Sequence, residues 1–434
     1  MPDPVRDRYV VLGVSGSIAA YKAVDLASRL VQAGARVDVV MTAAATKFVT
    51  PLSFGSITHR PVVDDLWDRH SELAIEHVGL AKRAAAILVA PATADLLARA
   101  AAGMAGDLLT ATLLTARCPV LYAPAMHTEM WEHPATQANV ALLRRRGAIV
   151  MEPAVGRLTG RDSGPGRLPE PAGIFAVATR LLARGPVTAD LAGRRVVVSA
   201  GGTREEIDPV RFIGNWSTGT QGYALAGTAV ARGAEVTVVA ANVALPDPAG
   251  TKVTRVVSAR EMHDAVLAAA DGADAVVMAA AVADYRPAAR SAAKIKKDGR
   301  PPEPIALTEN PDILAGLAAV RKARSAARAA PENHDPERAG LVPPAPVSQV
   351  LVGFAAETDT APDQARAKLA RKGCDLLVVN PVGNGLGFGT PDNEAVVYGT
   401  DGTVTPVSRG PKEALADVVW DLVAARLSES PADG

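Results

Sequence analysis

Short continuous apolar runs alternate along this chain with longer stretches whose apolar positions recur every three or four residues. The first run, Tyr9-Val-Val-Leu-Gly-Val, leads through Ser15-Gly-Ser-Ile into a helix-like segment over 19–33, a turn at Gly34 and a second run over 36–41. That order predicts a βαβ unit, because a parallel strand covered on both faces reads as an unbroken apolar run and its crossover helix as a 3.6-residue period. Runs at 86–90 and 120–123 extend the same sheet. The plan then starts again, with a strand over 196–199, a helix over 223–232, Gly233 and a strand over 235–240, followed by strands over 275–280, 351–354 and 376–380 that are parallel by pattern. The expected fold class is α/β, with two Rossmann-like domains built on parallel sheets. The turn-rich stretch Ala183-Arg-Gly-Pro-Val-Thr-Ala-Asp-Leu-Ala-Gly-Arg marks the joint, which gives domains at 1–185 and 193–434 with a linker at 186–192. Residues 321–349, rich in Ala, Pro, Arg and Glu, are expected to form a flexible surface insertion of the second domain.

Composition narrows the choice of partners. The 434 residues carry 46 basic and 46 acidic side chains, so no long-range field draws the chain to nucleic acid or to an anionic membrane. No apolar stretch has the length of a membrane span and the first residues lack a signal-peptide pattern, so the expectation is a cytoplasmic protein with neither a nucleic-acid nor a membrane partner. The two cysteines, Cys118 and Cys374, lie far apart beside apolar runs. They predict no disulfide framework and no thiolate metal site, and both read as buried.

The chemistry-bearing residues sit where strands hand over to helices. Gly13-Val-Ser-Gly-Ser-Ile offers amides and hydroxyls to a phosphate at a helix N-terminus. The next strand ends at Met41-Thr42 with no acid at its tip to hold the ribose of NAD, so a mononucleotide fits better than a dinucleotide. Pro91-Ala-Thr-Ala-Asp and Pro124-Ala-Met-His follow two more strand ends, where open α/β sheets bind ligands, and their small residues leave room for a flat ring. His77 precedes the strand at 86 and is a candidate for proton transfer. In the second half, the loop 199–222 joins Gly201 and Gly202 to a helix through an insert carrying Arg204, Asp208, Arg211 and Asn215. It reads as an anion cradle with chemistry of its own.

Taken with these motifs, the first domain resembles the flavin-dependent cysteine decarboxylases. The whole chain resembles the bifunctional coenzyme A biosynthesis family, in which phosphopantothenoylcysteine decarboxylase is fused to phosphopantothenate-cysteine ligase. The resemblance rests on Gly13-Val-Ser-Gly-Ser-Ile-Ala-Ala-Tyr-Lys, His77-Val-Gly-Leu-Ala, Ala90-Pro-Ala-Thr-Ala-Asp-Leu, Ala102-Gly-Met-Ala-Gly-Asp-Leu and Ala123-Pro-Ala-Met in the first half. In the second it rests on Gly202-Thr-Arg-Glu-Glu-Ile-Asp-Pro-Val-Arg, Ala280-Ala-Val-Ala-Asp-Tyr-Arg, Lys294-Ile-Lys-Lys, Asn310-Pro-Asp-Ile and Gly353-Phe-Ala-Ala-Glu-Thr. It implies an N-terminal flavodoxin-like FMN domain and a C-terminal CTP-binding ligase domain.

By the same resemblance, the ligase joins 4'-phosphopantothenate to cysteine with CTP and Mg²⁺ through an acyl-cytidylate. The decarboxylase then converts 4'-phosphopantothenoylcysteine to 4'-phosphopantetheine by FMN-dependent oxidation to a thioaldehyde and loss of carbon dioxide. His77 matches the essential histidine; Ser15, Gly16, Ser17, Thr42, Ala92, Thr93 and Met126 match flavin-binding positions. Asn215 and Lys294 match the residues at the reacting centre of ligation. Met278, Ala279, Ala280, Asp284, Pro311, Asp312, Ile313, Leu314, Phe354, Lys368 and Lys372 match nucleotide contacts, and Lys296 and Lys297 would add to the field beside Lys294. The metal ligands stay unassigned. Trimers through the flavin domain and dimers through the ligase domain, and so a dodecamer, are implied.

Three departures stand out. His127 replaces the family's asparagine, Thr220 replaces a lysine, and Leu158-Thr-Gly-Arg-Asp-Ser-Gly-Pro-Gly-Arg lacks the cysteine of the proton-donating flap, placing Thr159 in its slot with Asp162 nearby. A hydroxyl is far less acidic than a thiol. Two rivals therefore stay open: a flavin-binding regulatory subunit with an active ligase only, and an NAD-linked oxidoreductase, against which the missing acid after the second strand weighs.

Overall fold

The computed structural model describes residues 4–63, 76–157, 163–184, 189–296, 304–329, 349–357, 361–383, 389–390 and 392–429. The chain divides into two compact units that part at Arg194 and Arg195, with 227–235 and 248–251 grouped with the first.

The first unit opens with β1 (Tyr9–Val14), α1 (Ala20–Gln32), β2 (Arg36–Met41), α2 (Pro51–Thr58) and β3 (Val62–Val63). It continues through α3 (Glu76–Arg83), β4 (Ala86–Ala92), α4 (Ala94–Ala101), α5 (Leu108–Thr115), β5 (Val120–Pro124), α6 (Thr128–Glu132), α7 (Pro134–Arg145) and β6 (Ile149–Val150), and ends with β7 (Ala154–Arg157), β8 (Ser163–Arg167) and α8 (Pro171–Arg184). The sheet order is β3-β2-β1-β4-β5-β6, with every pair parallel. This is the 3-2-1-4-5-6 order of the doubly wound fold, whose switch point lies between β1 and β4. α1 buries Ala20, Ala23, Leu26, Ala27 and Leu30 at the expected spacing. α4 and α5 are capped by Thr93, which accepts from the Leu96 amide, and by an Asp107–Thr110 capping box.

In the second unit the order is β9 (Arg195–Gly201), β10 (Arg204–Glu206), β11 (Phe212–Gly214), α9 (Thr220–Ala231), β12 (Glu235–Ala241), β13 (Thr251–Val256), α10 (Ala259–Ala269), β14 (Ala275–Met278), β15 (Tyr285–Pro287) and β16 (Leu307–Glu309). After these come α11 (Ile313–Ala329), β17 (Val350–Glu357), α12 (Pro362–Lys372), β18 (Leu376–Pro381), β19 (Asp392–Gly399), β20 (Val404–Pro411) and α13 (Lys412–Glu429). The sheet runs β13-β12-β9-β14-β17-β18-β19-β20. Its first six strands repeat the doubly wound order, and β14 is parallel to β9 and β17, as is β17 to β18. The expected α/β class with two Rossmann-like units therefore holds.

Some elements differ from expectation. β19 and β20 pair antiparallel after β18, a hairpin whose turn is Thr400-Asp-Gly-Thr. The strand expected over 275–280 stops at Met278, which frees Ala279 and Ala280. The insertion expected from 321 begins as helix, because α11 continues to Ala329 on Ala- and Arg-rich sequence of high helix propensity; residues 330–348 lie outside the described residues. Cys374 is buried as expected, whereas Cys118, at the turn before β5, is only half-buried. Among the described residues no helix is long and apolar enough to cross a membrane.

Candidate functional sites

At the carboxyl edge of the first sheet, the loops after β1, β2, β4 and β5 surround a cavity of about 1060 Å³. Ser15, Gly16, Ser17, Thr42, Thr93, Met126 and His127 all line it, as the motifs predict. Ala92 does not; it is buried as the last residue of β4. Ser15 ties the two sides of the switch point together, donating from Oγ to the Pro91 carbonyl at 2.7 Å and accepting the Thr93 amide at 3.1 Å. Only glycine fits next: a Cβ on Gly16 would stand 2.4 Å from that of Ala44. Ser17 Oγ accepts the Ala19 amide at 3.2 Å, at the first turn of α1, whose positive end favours an anion.

The hairpin of β7 and β8 closes one side. The Met126 amide donates to the Gly166 carbonyl at 2.9 Å, and Gly166 (φ +148°) passes so near that a Cβ would lie 2.3 Å from Met126 O. This hairpin brings Arg157 and Arg167 to the cavity, beside Lys22 and Arg99. Sequence reasoning missed these four cations, which come from separate elements with no shared spacing. Arg99 is held by Asp107 at 2.6 Å; burial works against the Asp107 charge, but that guanidinium and the Thr110 groups keep its pKa below the usual range. The lip is apolar, with Ile18, Tyr21, Phe48 and Met130 exposed around small residues such as Ala43, Ala44 and Ala125.

His77 is not among the lining residues. It lies on the first turn of α3, where its carbonyl accepts from Thr115 Oγ1 at 3.5 Å. Thr159 and Asp162 lie outside the described residues. Neither cysteine lines the cavity, and burial raises both thiols, Cys374 to about 11.

At the equivalent edge of the second sheet, a slot of about 110 Å³ lies across the switch point between β9 and β14. One wall is the 217–221 end of the opening loop and α9. The others come from Ala279, Ala280, Ala281, Phe354, Ala356, Asn380, Gly389, Asn393 and Lys412. Of the expected nucleotide contacts, Ala279, Ala280 and Phe354 are here. Asn215 stands beside it, exposed, with Nδ2 donating at 3.1 Å to the carbonyl of the lining residue Ala281. The slot is about a tenth the volume of the first cavity.

The remaining expected residues lie apart from the slot. Met278 is in the core cluster. Asp284 is exposed, with its carbonyl accepting the Asn310 amide at 2.8 Å. Pro311 and Asp312 lead into α11, which opens with Ile313 and Leu314; Ile313 is buried and Leu314 packs on the core. Burial opposes the charge on Asp312, but the Lys372 ammonium at 2.5 Å and the Ala315 amide hold its pKa below the usual range. Lys368 pairs with Glu357 at 2.7 Å. Lys372 lines a different, basic cavity of about 800 Å³ with Arg321, Lys322 and Arg371.

Lys294 and Lys296 are exposed, and Lys297 lies outside the described residues. The segment before them is fastened to the opening loop. Asp208 accepts the Ile295 amide at 3.1 Å and the Val210 and Arg211 amides at 2.8 Å each, and pairs with Arg211; Arg211 Nη2 in turn donates to the Ile295 carbonyl at 2.8 Å. The Arg211 guanidinium and these amides hold Asp208 well below the usual carboxylate range. The acidic and basic residues of the loop thus build a seat for the Lys294 segment. Among the described residues no group of three His, Cys, Asp or Glu is placed to hold a metal ion.

Comparison with known proteins agrees with this division. Residues 2–182 match the flavoprotein family, and 191–340 with 341–427 match the DNA/pantothenate metabolism flavoprotein C-terminal domain. The coenzyme A biosynthesis bifunctional protein CoaBC of Mycobacterium tuberculosis is 51% identical over 97% of each chain. That of Vibrio vulnificus is 43% identical over 91% of this chain and 92% of the relative. The chain belongs to the CoaBC family. A crystal structure of the C-terminal domain of a CoaBC protein is 31% identical, covering 56% of this chain and 99% of that one with a TM-score of 0.43. In CoaBC terms, the large cavity falls wholly within the flavoprotein match and the slot wholly within the C-terminal match.

Proposed function

We propose that this chain catalyses two successive steps of coenzyme A biosynthesis. The second unit ligates 4'-phosphopantothenate with cysteine at the expense of CTP, and the first decarboxylates the resulting 4'-phosphopantothenoylcysteine to 4'-phosphopantetheine. The observation that carries the reading is the pairing of a wide cavity and a narrow slot, one at each switch point, in a chain of this family.

The first cavity fits FMN. The Gly16 cradle, which a Cβ would fill, and the N-terminal turn of α1 suit the phosphate, and the small residues at 43, 44 and 125 suit a flat ring. FMN, when bound, would take electrons from the cysteine moiety and return them after carbon dioxide leaves. Ser15, Gly16, Ser17, Thr42, Thr93 and Met126 would hold it, next to the buried Ala92 that precedes Thr93. His127, Arg157 and Arg167 would bind the substrate carboxylate, and His77 would move a proton. His77 sits off the cavity of its own chain, so a neighbouring copy would supply it. A homotrimer through this unit accounts for that, and for the exposed apolar residues Ile18, Tyr21, Phe48 and Leu52. Dimers through the ligase unit have parallel support in exposed Val210, Phe212, Trp216, Tyr285 and Leu307.

For ligation, Asn215 and Lys294 would meet the charge that collects on the α-phosphate, with Asp284, the 311–314 turn, Lys368 and Lys372 on the nucleoside side. Lys368 and Lys372 must exchange their carboxylate partners to do so. Mg²⁺ would arrive with the triphosphate and neutralise part of its charge.

The absence of a flap cysteine favours a second reading, in which the first unit binds FMN without turnover. Carbon dioxide release from 4'-phosphopantothenoylcysteine by the yellow protein decides between them. Turnover that His77→Asn abolishes supports the enzyme; no release by the wild type supports the second reading.

A further inference from the structure

The slot of the ligase unit contains a cation to which the motifs gave no clue. Lys412 is the first residue of α13 and is 4% exposed, yet it lines the slot together with Ser217, Thr218, Gly219 and Thr220. Topology explains how it gets there. β18 ends at the carboxyl edge; β19 runs back from that edge and β20 returns to it. The start of β19 and the start of α13 therefore arrive beside the ends of the parallel strands. Side-chain bonds fix the arrangement: Gln221 Nε2 donates to the Lys412 carbonyl at 3.1 Å, and Asn393 Nδ2 donates to Gln221 Oε1 at 3.0 Å. The first turn of α9 and the first turn of α13 are thus tied together at the slot.

An ammonium is poorly placed here on two counts. Burial disfavours the charged form and lowers its pKa, with Glu413 and Asp392 pulling the other way. The positive end of the α13 dipole also repels it. The slot is bordered by a second positive end, that of the 12-residue helix α9, with hydroxyls at Ser217, Thr218 and Thr220. The loop itself adds no basic side chain from Asn215 to Gly222. Two helix N-termini and a lysine border this slot, a combination of amides, hydroxyls and an ammonium that suits a phosphate.

We propose that Lys412 binds a phosphate group of a ligase substrate in this slot, so that the loop's hydroxyls and amides hold the phosphate together with the lysine. The proposal rests on the ligase reading above. Its chemistry is shared by the phosphate chain of the nucleotide and the phosphate ester of 4'-phosphopantothenate, and substrate kinetics separate the two. Lys412 is a binding residue here and takes no part in bond making.

The test is steady-state ligation by the full chain, with CTP, 4'-phosphopantothenate and cysteine varied in turn. Lys412→Met should raise the KM of one phosphate-bearing substrate tenfold or more and leave that of cysteine unchanged; the substrate affected identifies the phosphate. Adding Thr220→Lys, which puts an ammonium elsewhere on the slot, should recover most of the loss, as it would not if Lys412 served only the fold. Unchanged KM for both phosphate substrates, or an equal rise for cysteine that Thr220→Lys fails to reverse, overturns the proposal. If Lys412→Met does not fold, Thr220→Lys alone should lower the KM of the same substrate severalfold, and no change counts against it. Calorimetric titration with inorganic pyrophosphate keeps this test separate from the ligase assignment. Binding by the wild type that Lys412→Arg retains and Lys412→Met loses supports the lysine even in a chain that does not ligate, and wild-type protein that binds no pyrophosphate contradicts it.

Discussion

The two units share one strand order and one location for their sites, yet differ in how complete those sites are. In the flavoprotein unit, seven of the eight residues assigned to cofactor and carboxylate from motifs — Ser15, Gly16, Ser17, Thr42, Thr93, Met126 and His127, but not Ala92 — surround one wide cavity. In the ligase unit only Ala279, Ala280 and Phe354 reach the slot, while Lys368 and Lys372 are engaged with acids and Lys294 stands exposed. On the proposed function, the difference follows from what each ligand would be. A resident cofactor calls for a cradle that exists before it binds, whereas a nucleotide substrate that enters and leaves is met by long side chains that close on its charge.

The comparison can be broken most severely at Gly16. Gly16→Leu drives a side chain into Ala44, and the protein should lose its yellow colour and all decarboxylation while pyrophosphate release continues; retained FMN would contradict the preformed cradle. Next in size is Lys294→Gln, which should slow ligation by about 10²-fold, the usual cost of losing one group that stabilises developing charge, with FMN content unchanged. An unaffected ligation rate removes Lys294 from the reacting centre. Sharing of sites between copies predicts that His77→Asn and Gly16→Leu chains, each inactive, recover part of the decarboxylase rate when co-assembled. No recovery in mixed oligomers would place His77 in its own chain's site.

Smaller effects probe the supports. Asp107→Ala removes the α5 cap, worth about 1 kcal/mol, and should lower the melting temperature of the flavoprotein unit by about 2–4 °C. Asp208 sharpens the other side. Its folded pKa is depressed, so its stabilisation is present above the ordinary carboxylate pKa of about 3.9 and is lost only as pH falls through the lower folded value. Amide exchange at Ile295 should therefore stay protected from pH 7 to pH 5 in the wild type and speed up in Asp208→Asn. Loss of protection in the wild type between pH 6 and 5 would contradict the assignment.

Most of the parallel framework was legible, because strands buried on both faces leave continuous apolar runs such as 10–12, 86–90 and 196–198. The antiparallel hairpin was not. β19 and β20 alternate between inward and outward positions, a weaker pattern, and only the Asp401-Gly402 turn announced them. Lys412 stayed invisible for the same reason: it lies 191 residues from Gln221, and only the return of β20 brings it back to the slot. Arg157 and Arg167 were hidden likewise, reaching the cavity of the first unit through the β7–β8 pairing and the glycine packing at Gly166. Motifs reveal residues that share a loop; cations delivered from distant elements need the topology.

The most direct test supplies the full chain with 4'-phosphopantothenate, cysteine, CTP and Mg²⁺, and follows pyrophosphate and carbon dioxide together. Two working units predict one carbon dioxide for each pyrophosphate, with 4'-phosphopantetheine as the end product. Pyrophosphate release with accumulation of 4'-phosphopantothenoylcysteine and no carbon dioxide would contradict the account.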